Sequence, residues 1–274
     1  MIGASGVPMQ VRTIPKSGEP IPVIGLGTWR TFDGFRPSLV EVLKRFSVAG
    51  GRVIDTSPMY GKAEEVVGRL KSHVAQPFLA TKVWTRGREA GIAQMQNSMR
   101  LLGVSQIDLM QIHNLVDWRT HLRTLREWKA AGTIRYDGIT HYHASAFPEL
   151  AQIMRTEEID FVQLPLSVEL PDAKEQLLPL AQEKEIAVLV NRPFEEGALL
   201  RKVRRKPLPE WAAEFGAASW SELFLRYVVS HPAVTCVIPA TSNPDHVAEN
   251  LRAGEGRMLT MEQRAVLRRR LTEM

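Results

Sequence analysis

The sequence predicts a parallel α/β fold closed into a (β/α)8 barrel, with a short N-terminal hairpin and a terminal helix. Three observations predict it. Short runs of β-type apolar residues alternate with helical patterns along the chain, the order produced when parallel strands are joined by crossover helices. Eight such runs occur, each followed by a helical stretch, and eight is the barrel count. The runs in "RVIDTSPMYG" (52–61), "PFLATKVW" (77–84) and "IDLMQIHNL" (107–115) pass into polar residues that can ionise or carry a proton. In such a barrel the C-terminal strand ends converge on one mouth, and that mouth is where these enzymes work.

In chain order, 11–14 and 21–22 read as the hairpin. The eight strands follow at 23–26, 53–55, 78–82, 107–112, 136–140, 161–164, 187–190 and 235–238. A helix over 38–49 starts on Ser38 and stops before Gly50-Gly51, a C-cap signal. Helices over 89–102 and 118–131 likewise stop at Gly103 and Gly132. The residues after the eighth helix, 253–274, have room for one terminal helix and little else. No linker, low-complexity tract or composition break divides the chain, and residues 1–274 read as one domain.

Of the 274 residues, 44% are hydrophobic and 24% charged, ordinary for a globular protein with a sizeable core. No apolar run approaches the ~20 residues needed to span a bilayer. The first ten residues, "MIGASGVPMQ", lack a basic start and a long apolar stretch, so they are not a signal peptide as written. The expected location is the cytoplasm, with the periplasm left open if a leader was trimmed. The lone Cys236 excludes an intramolecular disulfide and a cysteine-built metal site, and its strand context reads as inert packing. No metal is expected. The net charge of +5 is concentrated in "RKVRRK" (201–206) and "RAVLRRR" (264–270). The second reads as a solvated helix face. The first reads as a loop after the seventh strand, either solvated or steering a phosphate-bearing cofactor. Nucleic acid is not an expected partner, because no aromatic platform or known motif accompanies the charge.

The strand-end residues Asp55, Tyr60, Lys82 and His113 suit carbonyl chemistry. A free Tyr has a pKa near ~10, too high for easy proton exchange at pH 7. A nearby ammonium favours the phenolate, and a carboxylate can hold that ammonium charged and in place. Taken singly, a strand-end Asp caps a turn, a Tyr packs and a His sits satisfied in a core; their joint occurrence at successive strand ends favours function. No side chain donates hydride, so a cofactor is implied. "GLGTWR" (25–30) is not a Rossmann loop, since Arg30 stands where the third Gly of G-x-G-x-x-G belongs. "TSNPDHVAENL" (241–251) reads as a helix start with Asn243 or Ser242 as N-cap and Pro244 at N1, an end suited to anions.

Eight segments of the chain resemble the aldo-keto reductase superfamily, in order and with family-like spacing over residues 11–251. They are "IPVIGLGTWRTFD" (21–33), "VIDTSPMYG", "LATKVW", "IDLMQIHN", "GITHY" (138–142), "FVQLPLS" (161–167), "NRPF" (191–194) and "IPATSNPDHVAENL" (238–251). The resemblance implies an NADP(H)-dependent oxidoreductase, with NAD(H) as the lesser option, reducing aldehydes or ketones. It makes Tyr60 the general acid, Lys82 its tuner, Asp55 the partner of Lys82, and His113 the group that orients the carbonyl. Substrate-pocket walls would be Trp29, Trp84 and Asn114. Cofactor contacts would come from Gly27, Thr28, Thr140, His141, Asn191, Arg192, Pro193, Phe194, Ile238 and Ala240. Gln163 would hold the nicotinamide carboxamide. Thr241, Ser242 and His246 would hold the adenosine phosphate, and Glu249 and Asn250 the adenine.

Four departures from the commoner family pattern stand out. Thr140-His141 replaces a Ser-Asn pair, and Asn191 replaces the Tyr that stacks on the nicotinamide, leaving Phe194 or nothing for that task. Ala240 and His246 replace a Lys and an Arg, removing fixed charge from the place of a 2′-phosphate. Arg192 either reaches the pyrophosphate or joins a surface ion pair. The resemblance also implies a monomer acting on a small carbonyl substrate. Rival readings are a cofactor-sensing regulatory protein, like the channel β-subunits of this fold, and an enzyme of the same family that oxidises alcohols.

Overall fold

The structure is a computed structural model and describes residues 8–273; the reading of the first ten residues falls largely outside them. The hairpin pairs β1 (Val11–Thr13) with β2 (Pro20–Pro22) antiparallel, Val11 opposite Pro22. Eight parallel strands follow among the described residues: β3 (Leu26–Gly27), β4 (Val53–Asp55), β5 (Phe78–Val83), β6 (Ile107–His113), β7 (Ile134–Thr140), β8 (Phe161–Pro165), β9 (Ala187–Asn191) and β10 (Cys236–Val237). Each pairs with its sequence neighbour, and bridges Ile24–Val237 and Gly27–Ala240 bring the last strand round to the first. The barrel is therefore closed, and edges that would invite further pairing are absent along the ring. At Gly27 the approach is so close that a Cβ would lie 2.8 Å from the carbonyl oxygen of Ile238.

The period of two along each strand divides its residues between an inner and an outer face. Ile54, Leu79, Met110, Ile139, Val162 and Val188 face outward and pack under the helices. Val53, Phe78, Leu109, Tyr136, Phe161 and Cys236 face inward, and Ile14 and Ile21 of the hairpin join them as the floor. Phe78, Tyr136 and Phe161 meet there with ring centroids 5.5–6.2 Å apart. Steps of two from these floor residues lead to Asp55, Lys82, His113, Thr140 and Gln163, and from Ala187 and Leu189, the floor residues of β9, to Asn191. The inner face thus passes from apolar at one end to polar at the other.

The helices are α1 (Ser38–Val48), α2 (Ala63–Leu70), α3 (Arg88–Leu102), α4 (Trp118–Ala130), α5 (Phe147–Thr156), α6 (Leu177–Glu183), α7 (Ala198–Val203), α8 (Trp220–Val229), α9 (Pro244–Arg252) and the terminal α10 (Met261–Thr272). Gly103 ends α3 at φ 63°, in the left-handed region that glycine enters without penalty. On α2, a Cβ at Gly68 would overlap the Leu101 carbonyl oxygen, so α2 seats directly on the end of α3. Besides shifts of one to three residues at strand ends, as at β3 and β7, two details differ from the sequence reading. α1 begins at Ser38 without a side-chain cap, because Pro37 occupies the N-cap position with a helical φ of −55°. The basic stretch 201–206 is not a plain loop; its first half belongs to α7, and α7 and α8 both lie between β9 and β10.

Candidate active site

Inward positions near the ends of β4, β5 and β6 bring Asp55, Lys82 and His113 together, and Tyr60 arrives from the loop after β4. Lys82 Nζ donates to Asp55 Oδ2 at 2.6 Å and to the Thr56 carbonyl oxygen at 2.7 Å. Both side chains of this ion pair are buried, Lys82 completely. Removing either partner would strand a buried charge, a loss of about 3–5 kcal/mol. The Lys82 ammonium lies 5.0 Å from the centroid of the Tyr60 ring. The Tyr60 ring meets His113 edge to face, centroids 5.9 Å apart, and His113 Nδ1 is 3.0 Å from Ser57 Oγ.

Burial is the largest influence on the Tyr60 phenol and pushes it above its ordinary value; Lys82 pulls it back and Asp55 adds to the rise. The sequence reading has the ammonium lowering the phenol. The ammonium does act in that sense, but burial outweighs it. Burial also works against the charge on Lys82, yet Asp55, and then Tyr60, outweigh it and hold the ammonium above its ordinary value. His113 is driven down to about 2, by burial first, then by the Lys82 charge and His141. The site therefore holds a protonated phenol, a charged ammonium and a neutral imidazole at neutral pH.

These groups floor a cleft of about 690 Å³. Gly27, Thr28, Trp29, Trp84, Asn114, Thr140, Gln163, the run Asn191–Phe194, Ile238 and Ala240 all line it, with Asp55, Tyr60 and His113. Lys82 lies beneath the surface. His141 does not line the cleft: its ring lies flat on Tyr142, centroids 5.5 Å apart, and its Nδ1 accepts from the His143 N–H. Tyr142 lines the wall instead, nearly half exposed. Arg192 donates to the Tyr142 carbonyl oxygen at 2.9 Å and pairs with Glu195 and Glu196 at 3.3 and 3.6 Å. Backbone strain borders the cleft, since Asn114, Leu115, Arg192, Glu195 and Glu196 have φ between 48° and 57°.

Thr241, Ser242, His246, Glu249 and Asn250 lie outside the cleft lining, on the approach to α9 and along it. α9 starts as its sequence suggests, with Asn243 accepting from the Asp245 N–H at 2.9 Å and Pro244 first in the helix. Thr241 Oγ1 accepts from the Asn243 N–H, Glu249 accepts from Ser221 at 2.9 Å, Asn250 is buried, and His246 is exposed.

Sequence reasoning passed over Ser57, Gln111, Met59 and Tyr142. The first two carried a signal: Ser57 lies two residues beyond Asp55, and Gln111 two residues before His113 on the same inward face. Gln111 Nε2 donates to Asp55 Oδ1 at 3.0 Å, and Gln163 Nε2 donates to the same oxygen at 2.9 Å. Tyr142 carried none, because only the turn after β7 aims its ring at the cleft.

Fold and site define a class, the barrel oxidoreductases whose polar strand ends form one catalytic mouth. The model of the aldo/keto reductase family matches residues 23–269, so the chain belongs to that family and is an NAD(P)H-dependent aldo-keto reductase. The methylglyoxal reductase YeaE of Escherichia coli is 26% identical over 253 residues, covering 88% of this chain and 89% of its own. The 9,11-endoperoxide prostaglandin H2 reductase of Trypanosoma cruzi is also 26% identical, over 90% of this chain and 87% of its own. An aldo-keto reductase of Klebsiella pneumoniae, crystallised with NADPH, superposes with a TM-score of 0.79 at 25% identity, covering 97% of this chain and 95% of its own.

Proposed function

We propose that the protein is an NADP(H)-dependent reductase that converts aldehydes or ketones to alcohols, with Tyr60 as proton donor. The observation that carries this is the buried Lys82–Asp55 pair, 2.6 Å apart, beneath a protonated Tyr60 and beside a neutral His113 at one cleft. The Tyr60 hydroxyl gives its proton to the carbonyl oxygen, and Lys82 stabilises the phenolate left behind. Asp55 keeps the ammonium charged and fixed. His113, neutral, orients the carbonyl by a hydrogen bond and adds no charge to the site. A proton from water then restores the phenol. A bound reduced nicotinamide supplies the hydride.

The residues present fit such a cofactor. The cleft has the volume, and its wall offers the buried, unpartnered Asn191 Oδ1 to a polar ring substituent. Thr140, Gln163, Asn191 and Phe194 would surround the nicotinamide end. Gly27, Thr28, Arg192, Pro193, Ile238 and Ala240 would flank the middle, with Thr241, Ser242, His246, Glu249 and Asn250 around the adenosine. Tyr142 offers the cleft a second aromatic face besides Phe194. The same reading makes the protein a one-domain cytoplasmic monomer with a small carbonyl substrate; among the described residues no helix is long and apolar enough to cross a membrane.

The test is Tyr60→Phe, which keeps the ring packing and removes the proton. Reduction of a panel of aldehydes, methylglyoxal included, should fall by about 10²–10⁴-fold while NADPH affinity stays near wild type. A loss below tenfold across the panel would remove Tyr60 from the role of acid.

A further inference from the structure

The hydrogen-bond polarity of the barrel's upper layer can be followed outward from Asp55. Paired with Lys82, this carboxylate only accepts. Its Oδ1 therefore fixes two amides, Gln111 Nε2 at 3.0 Å and Gln163 Nε2 at 2.9 Å, with nitrogens toward it. The second proton of Gln163 Nε2 goes to Gln111 Oε1 at 3.1 Å, so Gln163 has no donor left. Its Oε1 accepts from Thr140 Oγ1 at 3.1 Å and from Asn191 Nδ2 at 3.3 Å. That orients Asn191 in turn. Its nitrogen is directed at Gln163, and its Oδ1 is left buried with no partner, on a residue that lines the cleft. A buried acceptor without a donor is costly unless a ligand brings one.

We propose that Asn191 Oδ1, and not Gln163, receives the amide N–H of the nicotinamide carboxamide. The proposal rests on the reading that the cofactor is a nicotinamide nucleotide, and it adds which chain atom recognises the ring. Gln163 is then a positioning residue: turned by Asp55, it holds Asn191 in the one orientation that presents oxygen to the cleft. His141 leaves this task open, since its ring is turned onto Tyr142 and stays off the cleft wall. The relay also ties the recognition of the ring to the Asp55–Lys82 pair beneath Tyr60. A ligand that offers only acceptors at this position should be excluded.

The experiment compares NADP+ with its 3-acetylpyridine analogue, which keeps the ring carbonyl and replaces the NH2 by a methyl group. Dissociation constants are measured by fluorescence quenching, for which Trp29 and Trp84 line the cleft. The wild type should bind NADP+ about tenfold more tightly than the analogue, the worth of one hydrogen bond. Asn191→Leu should weaken NADP+ by about that factor and leave the analogue within about twofold, so that the discrimination collapses. Asn191→Ala, which only removes atoms, gives the same comparison if the leucine variant does not fold. Equal affinity for the two ligands in the wild type, or discrimination that survives both substitutions, would overturn the proposal and leave the cofactor reading intact. Absence of saturable NADP+ binding in the wild type would overturn both.

Discussion

Burial is the first influence on Tyr60, Lys82 and His113 alike: it raises the phenol and lowers the imidazole, while Asp55 and then Tyr60 hold the Lys82 ammonium above its ordinary value against it. With burial raising Tyr60 and Lys82 only partly offsetting it, the hydroxyl carries its proton throughout the neutral range. A protonated phenol serves reduction, whereas alcohol oxidation needs the phenolate. The kcat for reduction should therefore be flat across neutral pH and fall only above the ordinary phenol value of ~10, while the oxidation rate climbs over that same upper range. His113, held at about 2, should contribute no limb between pH 5 and 8. A break in log kcat near pH 6.5 that vanishes in a His113 variant would contradict the neutral-imidazole assignment. Asp55→Asn and Lys82→Met should each be crippling, and together no worse than the more severe of them, because the pair acts as one unit.

At the scale of elements, α9 presents its N-terminal end to the approach of the cleft through a cap and a proline, with little fixed positive charge. His246 is exposed in its first turn, while neighbouring Asp245 is drawn aside by Arg45 at 2.6 Å. If this end holds the 2′-phosphate, His246→Arg should raise the preference for NADPH over NADH by about tenfold, since a charge-assisted bond is roughly twice as strong as a neutral one. His246→Ala should lower NADPH affinity and leave NADH alone. Titration of both reduced cofactors decides, and an unchanged ratio in both variants would place the phosphate elsewhere. α2 makes the complementary point about packing. Gly68 lets it sit directly on α3, which steadies the segment that follows Tyr60.

The whole molecule is a closed barrel with an apolar floor, a polar mouth and a helical coat, and its exceptions are informative. Asp137 faces outward on β7, buried against Asp160, and its carboxyl is pushed up to about 6, by burial first and then by the neighbouring anion. A carboxyl raised in the folded state stabilises below its ordinary value of ~4, and that contribution is lost as pH rises through about 6. Asp137→Asn mimics the protonated form, so it should flatten the fall in stability between about pH 4 and 6 and raise the urea midpoint above pH 6. A variant whose midpoint falls with pH as steeply as the wild type would refute this. The mouth itself is open, with Met59, Trp84 and Tyr142 each about two-fifths or more exposed along it. Selectivity among small aldehydes should be modest, because each methylene contact contributes only ~1–3 kcal/mol even in a closed pocket. A ten-thousandfold preference between close analogues, read as kcat/KM, would argue for a closed pocket.

The sequence by itself determined the barrel and the floor of its site, for a physical reason. Strand parity is exact, so Asp55, Lys82 and His113, each two or four residues above an apolar residue, had to share the inner face of adjacent strands. The start of α9 was equally legible, since a cap and a proline act locally. Only the tertiary structure decided the rest. The net direction of the Tyr60 shift depends on how completely burial outweighs a neighbouring charge, and local pattern does not reveal that balance. His141 turned away and Tyr142 turned in through one loop conformation. The amide relay from Asp55 through Gln111 and Gln163 to Asn191 joins four strands, and its polarity follows from a carboxylate that can only accept. Hydrogen-bond direction is a property of neighbours in space, which is why no single strand of this sequence displays it.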